Sequence, residues 1–222
     1  KKFTKKLNFN CILKTNSLGY DGKGQKVIKN DQELDKIWYE INSNKCILEQ
    51  KINFKREISI LYAKSADNSE CFFPISENTH KNGILSSTIG SASIDDDILI
   101  EIKGLTRKLA NKINLTGLLT IEMFQLKDGS IIFNEIAPRP HNSFHWTLNG
   151  CNSSQFDILV RTICGLPVRD VECNGKWEMT NLIGQDVNNI NLYKDQNYIL
   201  HIYGKKNVKP GRKMGHINKY IS

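Results

Sequence analysis

The first third of the chain alternates between short apolar runs and polar loops. Residues 9–15 predict a buried strand, and residues 25–28 predict a strand that returns after a glycine-rich loop. A helix follows with Asp31 as its expected N-cap, and further strands are predicted over residues 46–52, 56–64 and 70–75, the last ending near Pro74. The apolar positions of the helix have helical spacing: Leu34, Ile37, Trp38, Ile41.

The rest of the chain shows the same mixture of periods. The acidic run from Asp95 to Asp97 predicts the start of a second helix, and residues 117–126 and 130–136 predict strands joined by the turn Lys127-Asp128-Gly129. A third helix is predicted over residues 154–164, closed by Gly165 and Pro167. Strands over 177–183 and 198–203 and a basic, glycine-rich tail come last. The apolar face of the second helix is predicted from five positions: Ile98, Ile102, Leu105, Leu109, Ile113.

This order of elements predicts an α+β fold, with antiparallel hairpins between helices and a small β-rich C-terminal module. We expect a main domain over residues 1–166 and the small domain over residues 167–222. No apolar run reaches the length of a membrane span, and no signal peptide follows the basic N-terminus. Since the chain does not begin with Met, we expect residues upstream of Lys1.

Composition and net charge restrict the classes of ligand that the chain is expected to bind. The 222 residues are 39% hydrophobic and carry a net charge of +8, which favours anionic ligands. Because the lysines are spread along the chain, we expect phosphorylated metabolites as partners, and neither nucleic acid nor a membrane. The six cysteines form no CxxC pair and no zinc spacing. They therefore predict reduced, buried thiols and a cytoplasmic location.

The strongest candidate site is a pair of acidic residues in apolar strands. Glu122 and Glu135 are predicted cross-strand neighbours, because both strands lead into one tight turn. Two buried carboxylates repel unless a cation lies between them, so with the Asn134 amide they predict a Mg²⁺ or Mn²⁺ site. Salt bridges on an exposed sheet face are the alternative.

Polar residues crowd the loop that follows. Arg139 lies between two prolines and offers a planar fork for bicarbonate, carboxylate or phosphate. His141, Asn142, Ser143 and His145 come directly after it. A loop that only turns a corner is the alternative, but so many site-type residues beside the acidic strand favour a binding or catalytic role.

Other candidates are weaker individually. The loop from Gly19 to Gln25 has three glycines that could bring backbone N–H groups to an anion, with Lys14 nearby; a flexible hairpin turn is equally compatible. His80 is ambiguous, and the basic tail could cradle a second phosphate or be a solvated terminus. Strand-end residues that could contact a nucleoside, or simply be surface groups, are Glu49, Gln50, Lys51, Ile52 and Glu57.

Taken together, these motifs resemble the N5-carboxyaminoimidazole ribonucleotide synthases, a branch of the ATP-grasp ligases. The resemblance runs in order along essentially the whole chain. It rests on Gly19-Tyr20-Asp21-Gly22-Lys23-Gly24-Gln25, Glu77-Asn78-Thr79-His80, Asn134-Glu135-Ile136-Ala137-Pro138-Arg139-Pro140-His141-Asn142-Ser143, Ser154-Gln155-Phe156 and Gly211-Arg212-Lys213-Met214-Gly215-His216.

The resemblance implies an ATP-grasp fold and ATP-dependent carboxylation of 5-aminoimidazole ribonucleotide with bicarbonate, via carboxyphosphate, in a homodimer. It assigns the metal to Glu122, Asn134 and Glu135, and bicarbonate to Arg139, His141 and Asn142. The ribonucleotide would contact Tyr20, Asp21, Lys23, Lys205, Arg212 and Lys213. ATP would contact Lys14, Gly19, Tyr20, Asp21, Gly22, Lys23, Gly24, Gln25, Glu49, Gln50, Lys51, Ile52, Glu57, His80, Asn134 and Glu135.

The chain departs from the family pattern in two ways. Family members usually have glycine where this chain has Phe144, and we expect the ring to crowd the bicarbonate pocket or to shift His145. They also carry an N-terminal domain and the first part of the grasp domain ahead of the position of Lys14, so we expect this chain alone to bind ATP poorly and not to turn over. A non-catalytic nucleotide-binding protein and another ATP-grasp carboxylase are the alternative functions.

Overall fold

A computed structural model describes residues 2–17, 24–42, 45–193 and 197–222, without the side chain of Leu192. The chain divides into two compact units, one formed by Lys1–Asn53 with Lys81–Ile84 and the other by Phe54–His80 with Leu85–Ser222. None of the helices in the described part of the chain is both long enough and apolar enough to span a bilayer.

The first unit contains a three-stranded antiparallel sheet in the order β2-β1-β3. Its core is formed by Cys11, Leu13, Ile28, Leu34 and Ile37, so the sheet packs on one face of helix α2. The elements are α1 (Lys2–Lys6), β1 (Cys11–Thr15), β2 (Gln25–Ile28), α2 (Leu34–Ile41) and β3 (Cys46–Gln50).

Helix α2 begins later than its sequence predicts. Asp31 was the expected N-cap, but Glu33 occupies that position and makes no capping bond through its side chain. The reason is a preceding turn, in which the Asn30 side chain accepts a hydrogen bond from the Glu33 N–H at 3.1 Å. Trp38 was expected on the apolar face, but it is 52% exposed.

The second unit is built on a nine-stranded sheet in the order β11-β12-β10-β7-β6-β4-β8-β9, with β5 paired to β4. Its strands are β4 (Arg56–Lys64), β5 (Glu70–Phe72), β6 (Ser76–Lys81), β7 (Ile84–Gly90), β8 (Gly117–Gln125), β9 (Ile131–Ala137), β10 (Trp177–Ile183), β11 (Tyr198–Ile202) and β12 (Lys213–Tyr220). Its helices are α3 (Asp96–Lys112), α4 (Thr147–Gly150) and α5 (Gln155–Ile163), with 3₁₀ segments over Asn142–Phe144 and Gly184–Tyr193. The α+β prediction is confirmed.

Two strands of this sheet were not predicted. Strands β6 and β7 are joined by Asn82 and Gly83, both in the left-handed region at φ 53° and 76°. An Asn-Gly pair between strand-like runs is the strongest short hairpin signal, so this hairpin could have been predicted from the sequence. A third unpredicted strand lies in the basic tail, where residues 213–220 form β12 and residues 214–218 are all buried between β10 and β11.

Helix α3 packs on the core through part of the predicted face: Ile98, Ile102 and Leu109 contact the core, whereas Leu105 and Ile113 are exposed. Asp95 caps it by accepting from the Asp97 N–H, as the acidic start suggested. Its buried residues are Ile102, Thr106 and Ala110, whereas Leu105 is 55% exposed. Thr106 can lie inside because its hydroxyl donates to the Ile102 carbonyl at 2.8 Å, a local bond that apolar periodicity does not show.

The cysteine prediction was wrong for one pair. Cys151 and Cys173 form a disulfide, with their Cα atoms 4.1 Å apart in an isolated antiparallel bridge. The two lie 22 residues apart in sequence, so no local motif marks them. Cys11 and Cys71 are buried thiols, as predicted, but Cys164 is exposed. The disulfide links segments on either side of residue 166, where the domain boundary remains a prediction.

Candidate functional site

Glu122 and Glu135 lie directly opposite each other in the β8–β9 hairpin. The hairpin turn is held by Asp128, whose carboxylate accepts from the Ser130 N–H at 3.0 Å. A bulge after Glu122 leaves Asn134 as the extra residue of β9, next to Glu135. The predicted cross-strand pairing is therefore present.

Three side chains converge at this point. One ligand atom from each of Glu122, Glu135 and His141 lies within 4.8 Å of the other two. Glu122 is 9% exposed, and its Oε1 has no hydrogen-bond partner among the described residues. Burial raises the pKa of Glu122 to about 7, with the charges of Glu135 and Glu57 adding to the effect while His80 and Lys213 oppose it. A buried carboxylate in this state fits a divalent cation, which would supply the missing charge.

His141 brings a neutral ring to this cluster. Burial, with the nearby Arg139 charge, lowers the pKa of His141 to about 3, so its ring is neutral at pH 7. Its Nδ1 accepts from the Ser143 N–H, which leaves the ring proton on Nε2. That Nε2 lies 3.6 Å from Glu122 Oε1. Because the ring is neutral and the distance exceeds a hydrogen bond, this contact is not an ion pair, and Nε2–H is directed at the acidic pair.

The other loop residues offer further polar groups. Arg139 is exposed, with a guanidinium N–H donating to the Pro140 carbonyl at 3.0 Å. Both amide atoms of Asn142 are buried without a partner among the described residues, which suits a ligand with donor and acceptor groups. Phe144 does not crowd these groups as expected, because its fully buried ring packs in the core, edge-on to Phe73 with centroids 6.1 Å apart.

Glu57 and His80 form a second pair in the same unit. The His80 Nδ1 lies 2.5 Å from Glu57 Oε2, between strands β4 and β6. Burial works to lower the pKa of His80, but the hydrogen bond and charge of Glu57 outweigh it and raise the pKa. The Glu57 carboxylate therefore favours the protonated form of His80, and the pair could contact a polar ligand edge.

Two of the predicted substrate cations are brought together. The Lys205 Nζ donates to the Lys213 carbonyl at 2.6 Å, whereas the Arg212 guanidinium donates to the Asn207 carbonyl at 3.0 Å. The Lys213 charge affects the pKa values of Glu122, His80 and His141, which places it near the acidic pair.

The remaining candidates lie in the first unit or outside the described residues. The Lys14 Nζ forms a 2.5 Å ion pair with Glu49 on the neighbouring strand. Gln50 ends β3, and the Lys51 N–H donates to the Asn10 carbonyl at 2.9 Å, ahead of Ile52. Gly24 has φ +73°, and a Cβ there would lie 2.6 Å from the Thr15 hydroxyl, so glycine is required. Gly19, Tyr20, Asp21, Gly22 and Lys23 fall outside the described residues.

A buried histidine cluster was not predicted. His216 is 1% exposed, its Nδ1 lies 2.8 Å from the Tyr203 hydroxyl, and its ring stacks on His201 with centroids 4.5 Å apart. Burial lowers the pKa of His216 to about 3 and that of His145, whose ring is 5.2 Å away, to about 4. The sequence did not indicate this cluster, because His201 and His216 meet only through the β11–β12 register.

Comparisons with known proteins agree with this geometry. The family model described as "ATP-grasp domain" matches residues 1–156, and the model described as "Phosphoribosylaminoimidazole carboxylase C-terminal domain" matches residues 178–220. The chain is 40% identical to the N5-carboxyaminoimidazole ribonucleotide synthase of Bacillus subtilis, over 98% of this chain and 58% of that protein. The chain therefore spans a little over half of that relative's length.

Solved structures give the same result. The crystal structure of the Staphylococcus aureus N5-carboxyaminoimidazole synthetase complexed with ADP matches with a TM-score of 0.93 at 36% identity, covering 100% of this chain and 60% of that one. The Aspergillus clavatus enzyme in complex with ADP and 5-aminoimidazole ribonucleotide matches with a TM-score of 0.88 at 27% identity, covering 99% and 60%. The resemblance stated from the motifs is confirmed.

Proposed function

Because the chain belongs to the ATP-grasp family, we propose that its protein carboxylates 5-aminoimidazole ribonucleotide, using ATP and bicarbonate. The products are N5-carboxyaminoimidazole ribonucleotide, ADP and phosphate, in de novo purine synthesis. The observation that carries the proposal is the convergence of Glu122, Glu135 and the Nε2–H of His141 at one point. A carboxylate pair for a cation and a neutral donor for an anion are what phosphoryl transfer from ATP to bicarbonate requires.

Glu122 and Glu135 would hold Mg²⁺ or Mn²⁺, with Asn134 as a further oxygen ligand. The orphaned Oε1 of buried Glu122 supports this role. When bound, the cation supplies positive charge to the ATP phosphates. His141 is better suited to binding an anion than to ligating the metal, since its Nε2 carries the proton.

Bicarbonate would bind to Arg139, His141 and Asn142. The Arg139 fork offers two parallel donors, and the buried Asn142 amide has no other partner among the described residues. These groups orient the bicarbonate oxygen that attacks the terminal phosphate, giving carboxyphosphate. Because carboxyphosphate decomposes in water, the burial of His141 and Asn142 protects it.

The nucleotide roles follow from the family likeness. Glu57 and His80 would contact the nucleoside, supported by the 2.5 Å contact between their side chains near the ends of strands β4 and β6. Lys14 and the loop Gly19–Gln25 would hold the phosphates, and residues 49–52 the adenine. The aminoimidazole ribonucleotide would contact Tyr20, Asp21 and Lys23, with its 5′-phosphate on Lys205, Arg212 and Lys213.

We further propose a cytoplasmic homodimer. The location follows from the substrates, because ATP and aminoimidazole ribonucleotide are phosphorylated and do not cross membranes freely. The buried thiols of Cys11 and Cys71 are compatible with a reducing compartment. Sedimentation equilibrium of the full-length protein tests the dimer, and a monomer at micromolar concentration would contradict it.

The test is phosphate release by the full-length protein with Mg²⁺ and ATP. Release should require bicarbonate and aminoimidazole ribonucleotide together, and Glu135→Ala should lower it by orders of magnitude. Glu178→Ala, which removes a carboxylate from strand β10, is the matched control and should retain activity. ATP binding without any release in the presence of both substrates would favour a non-catalytic nucleotide-binding protein instead.

A further inference from the structure

The segment Ser154-Gln155-Phe156 has no assigned role, yet Gln155 is fully buried at the start of helix α5. Its backbone is fixed on both sides. Ser154 and Asp157 form a reciprocal capping box, and the Gln155 N–H donates to the Thr147 hydroxyl at 3.1 Å. A side chain held at a rigid helix start can position other groups with little freedom.

The carboxamide of Gln155 pairs with the backbone of His141. Its Oε1 accepts from the His141 N–H at 2.8 Å, and its Nε2 donates to the His141 carbonyl at 2.9 Å. Because a backbone N–H can only donate, the orientation of the amide is fixed without ambiguity. The two bonds satisfy both the N–H and the carbonyl of His141, as the backbone of a neighbouring β-strand would.

The same amide nitrogen reaches a second histidine. Gln155 Nε2 lies 2.8 Å from His145 Nδ1. Since the amide nitrogen has no acceptor lone pair, His145 Nδ1 must accept, and the neutral ring then carries its proton on Nε2. One side chain therefore fixes both the backbone of His141 and the tautomer of His145.

We propose that Gln155 is a positioning residue for the bicarbonate-binding loop. It holds the His141 peptide so that the imidazole Nε2–H faces Glu122 and Glu135, and it keeps His145 in the Nε2–H tautomer. The effect on catalysis rests on the proposed function, but the hydrogen bonding does not. Gln155 itself touches no reacting atom.

The first test determines the histidine tautomers by long-range ¹H–¹⁵N NMR of the full-length protein at pH 7.5. Gln155→Met removes the three side-chain bonds, and Gln155→Glu keeps the acceptor but removes the amide donors. In the original chain His145 should be the Nε2–H tautomer alone, and in both variants the Nδ1–H form should appear. An unchanged His145 spectrum in both variants overturns the proposal.

The second test measures kinetics of the full-length protein. Gln155→Met should lower kcat/KM for bicarbonate by about tenfold to a hundredfold, as expected for a misplaced binding group. The affinity for Mg²⁺–ADP should change less than about twofold, since Gln155 contacts neither carboxylate in the described structure. Gln125→Met, which removes a buried amide bonded to Arg56, is the matched control and should leave both values unchanged.

The outcomes separate the two proposals. If Gln155→Met lowers thermal stability as Gln125→Met does and bicarbonate kinetics stay normal, Gln155 is only structural and the positioning role is lost. If the unsubstituted full-length protein shows no bicarbonate-dependent turnover, the proposed function fails, while the tautomer experiment still decides whether Gln155 controls His145.

Discussion

Two carboxylates in the same sheet, Glu70 and Glu122, have pKa values that are shifted in opposite directions. Glu70 accepts a hydrogen bond from the Tyr62 hydroxyl at 2.5 Å and another from the Arg107 guanidinium. Burial would raise the pKa of Glu70, but Tyr62 and Arg107 outweigh it and hold the pKa below its usual value. Glu122 has no such partners, and burial raises its pKa to about 7.

The two carboxylates show how a ligand-binding carboxylate differs from one that only stabilises the fold. Both carboxylates lie on strands of one sheet, but Glu122 is buried, whereas the Glu70 side chain is about a third exposed. Glu70 is satisfied by the protein, so nothing further is needed there. Glu122 faces Glu135 and a neutral His141, and the charges of His80 and Lys213 do not offset the effect of burial, so a bound cation would supply the missing charge.

The largest expected effect comes from Glu122→Gln. Turnover of the full-length protein should fall by about a hundredfold or more, because the cation loses a charged ligand. Without metal, the variant should be more stable than the unsubstituted protein at pH 8 by about 1–3 kcal/mol. The reason is that the substitution removes a buried carboxylate with a raised pKa, which would be ionised at that pH. Urea unfolding without metal checks this. A less stable variant would contradict this prediction, because the Glu122 carboxylate would then stabilise the fold as the Glu70 carboxylate does.

The acid stability of the protein should depend on its buried neutral histidines. The pKa of His216 is lowered from 6.5 to about 3, so the folded state binds fewer protons than the unfolded state below pH 6.5. This contribution to stability is complete above pH 6.5 and is lost as the pH falls toward 3. When the pH falls from 7.5 to 5.5, the free energy of unfolding of His216→Asn should decrease by about 1 kcal/mol less than that of the unsubstituted chain. Parallel unfolding curves at both pH values would contradict this assignment.

Glu70→Gln should have the opposite pattern to Glu122→Gln. It should cost about 1 kcal/mol of stability at pH 7, because the charged acceptor for Tyr62 and Arg107 is lost. Turnover should stay within about twofold, since the residue contacts no candidate ligand group in the described structure. Thermal unfolding and phosphate release on the same preparation check both parts. A large loss of turnover would mean that satisfied carboxylates also act in the reaction.

The smallest effect should come from Phe144→Leu. The ring packs against Phe73 in the core, so the smaller side chain should cost about 1 kcal/mol in unfolding free energy. Because the ring is fully buried in the hydrophobic core, KM for bicarbonate should not change. A marked change in KM would show that this core position does control the loop after all.

The parts that sequence predicts best are local. The β8–β9 hairpin and the Glu122–Glu135 pairing follow from a tight turn between two apolar runs, and helix α5 (Gln155–Ile163) lies within the predicted residues 154–164. Alternation and turn chemistry are enough for such features, because both partners lie close together in the chain.

The parts that sequence misses depend on distant partners. The pairing of β12 with β10 and β11, the Cys151–Cys173 disulfide and the Gln155 contacts with His141 and His145 all need tertiary structure. His141 could be picked out as a site residue, but its position beside Glu122 could not, because no spacing rule relates a loop residue to a strand residue nineteen positions earlier.

Whether Glu122 is a metal ligand can be measured directly by electron paramagnetic resonance of bound Mn²⁺, with ADP present. The full-length protein should bind Mn²⁺, Glu122→Gln should bind it at least about tenfold more weakly, and Glu70→Gln should bind it normally. Equal Mn²⁺ affinity in the unsubstituted protein and Glu122→Gln would contradict the account, because the unsatisfied carboxylate would then not be a metal ligand.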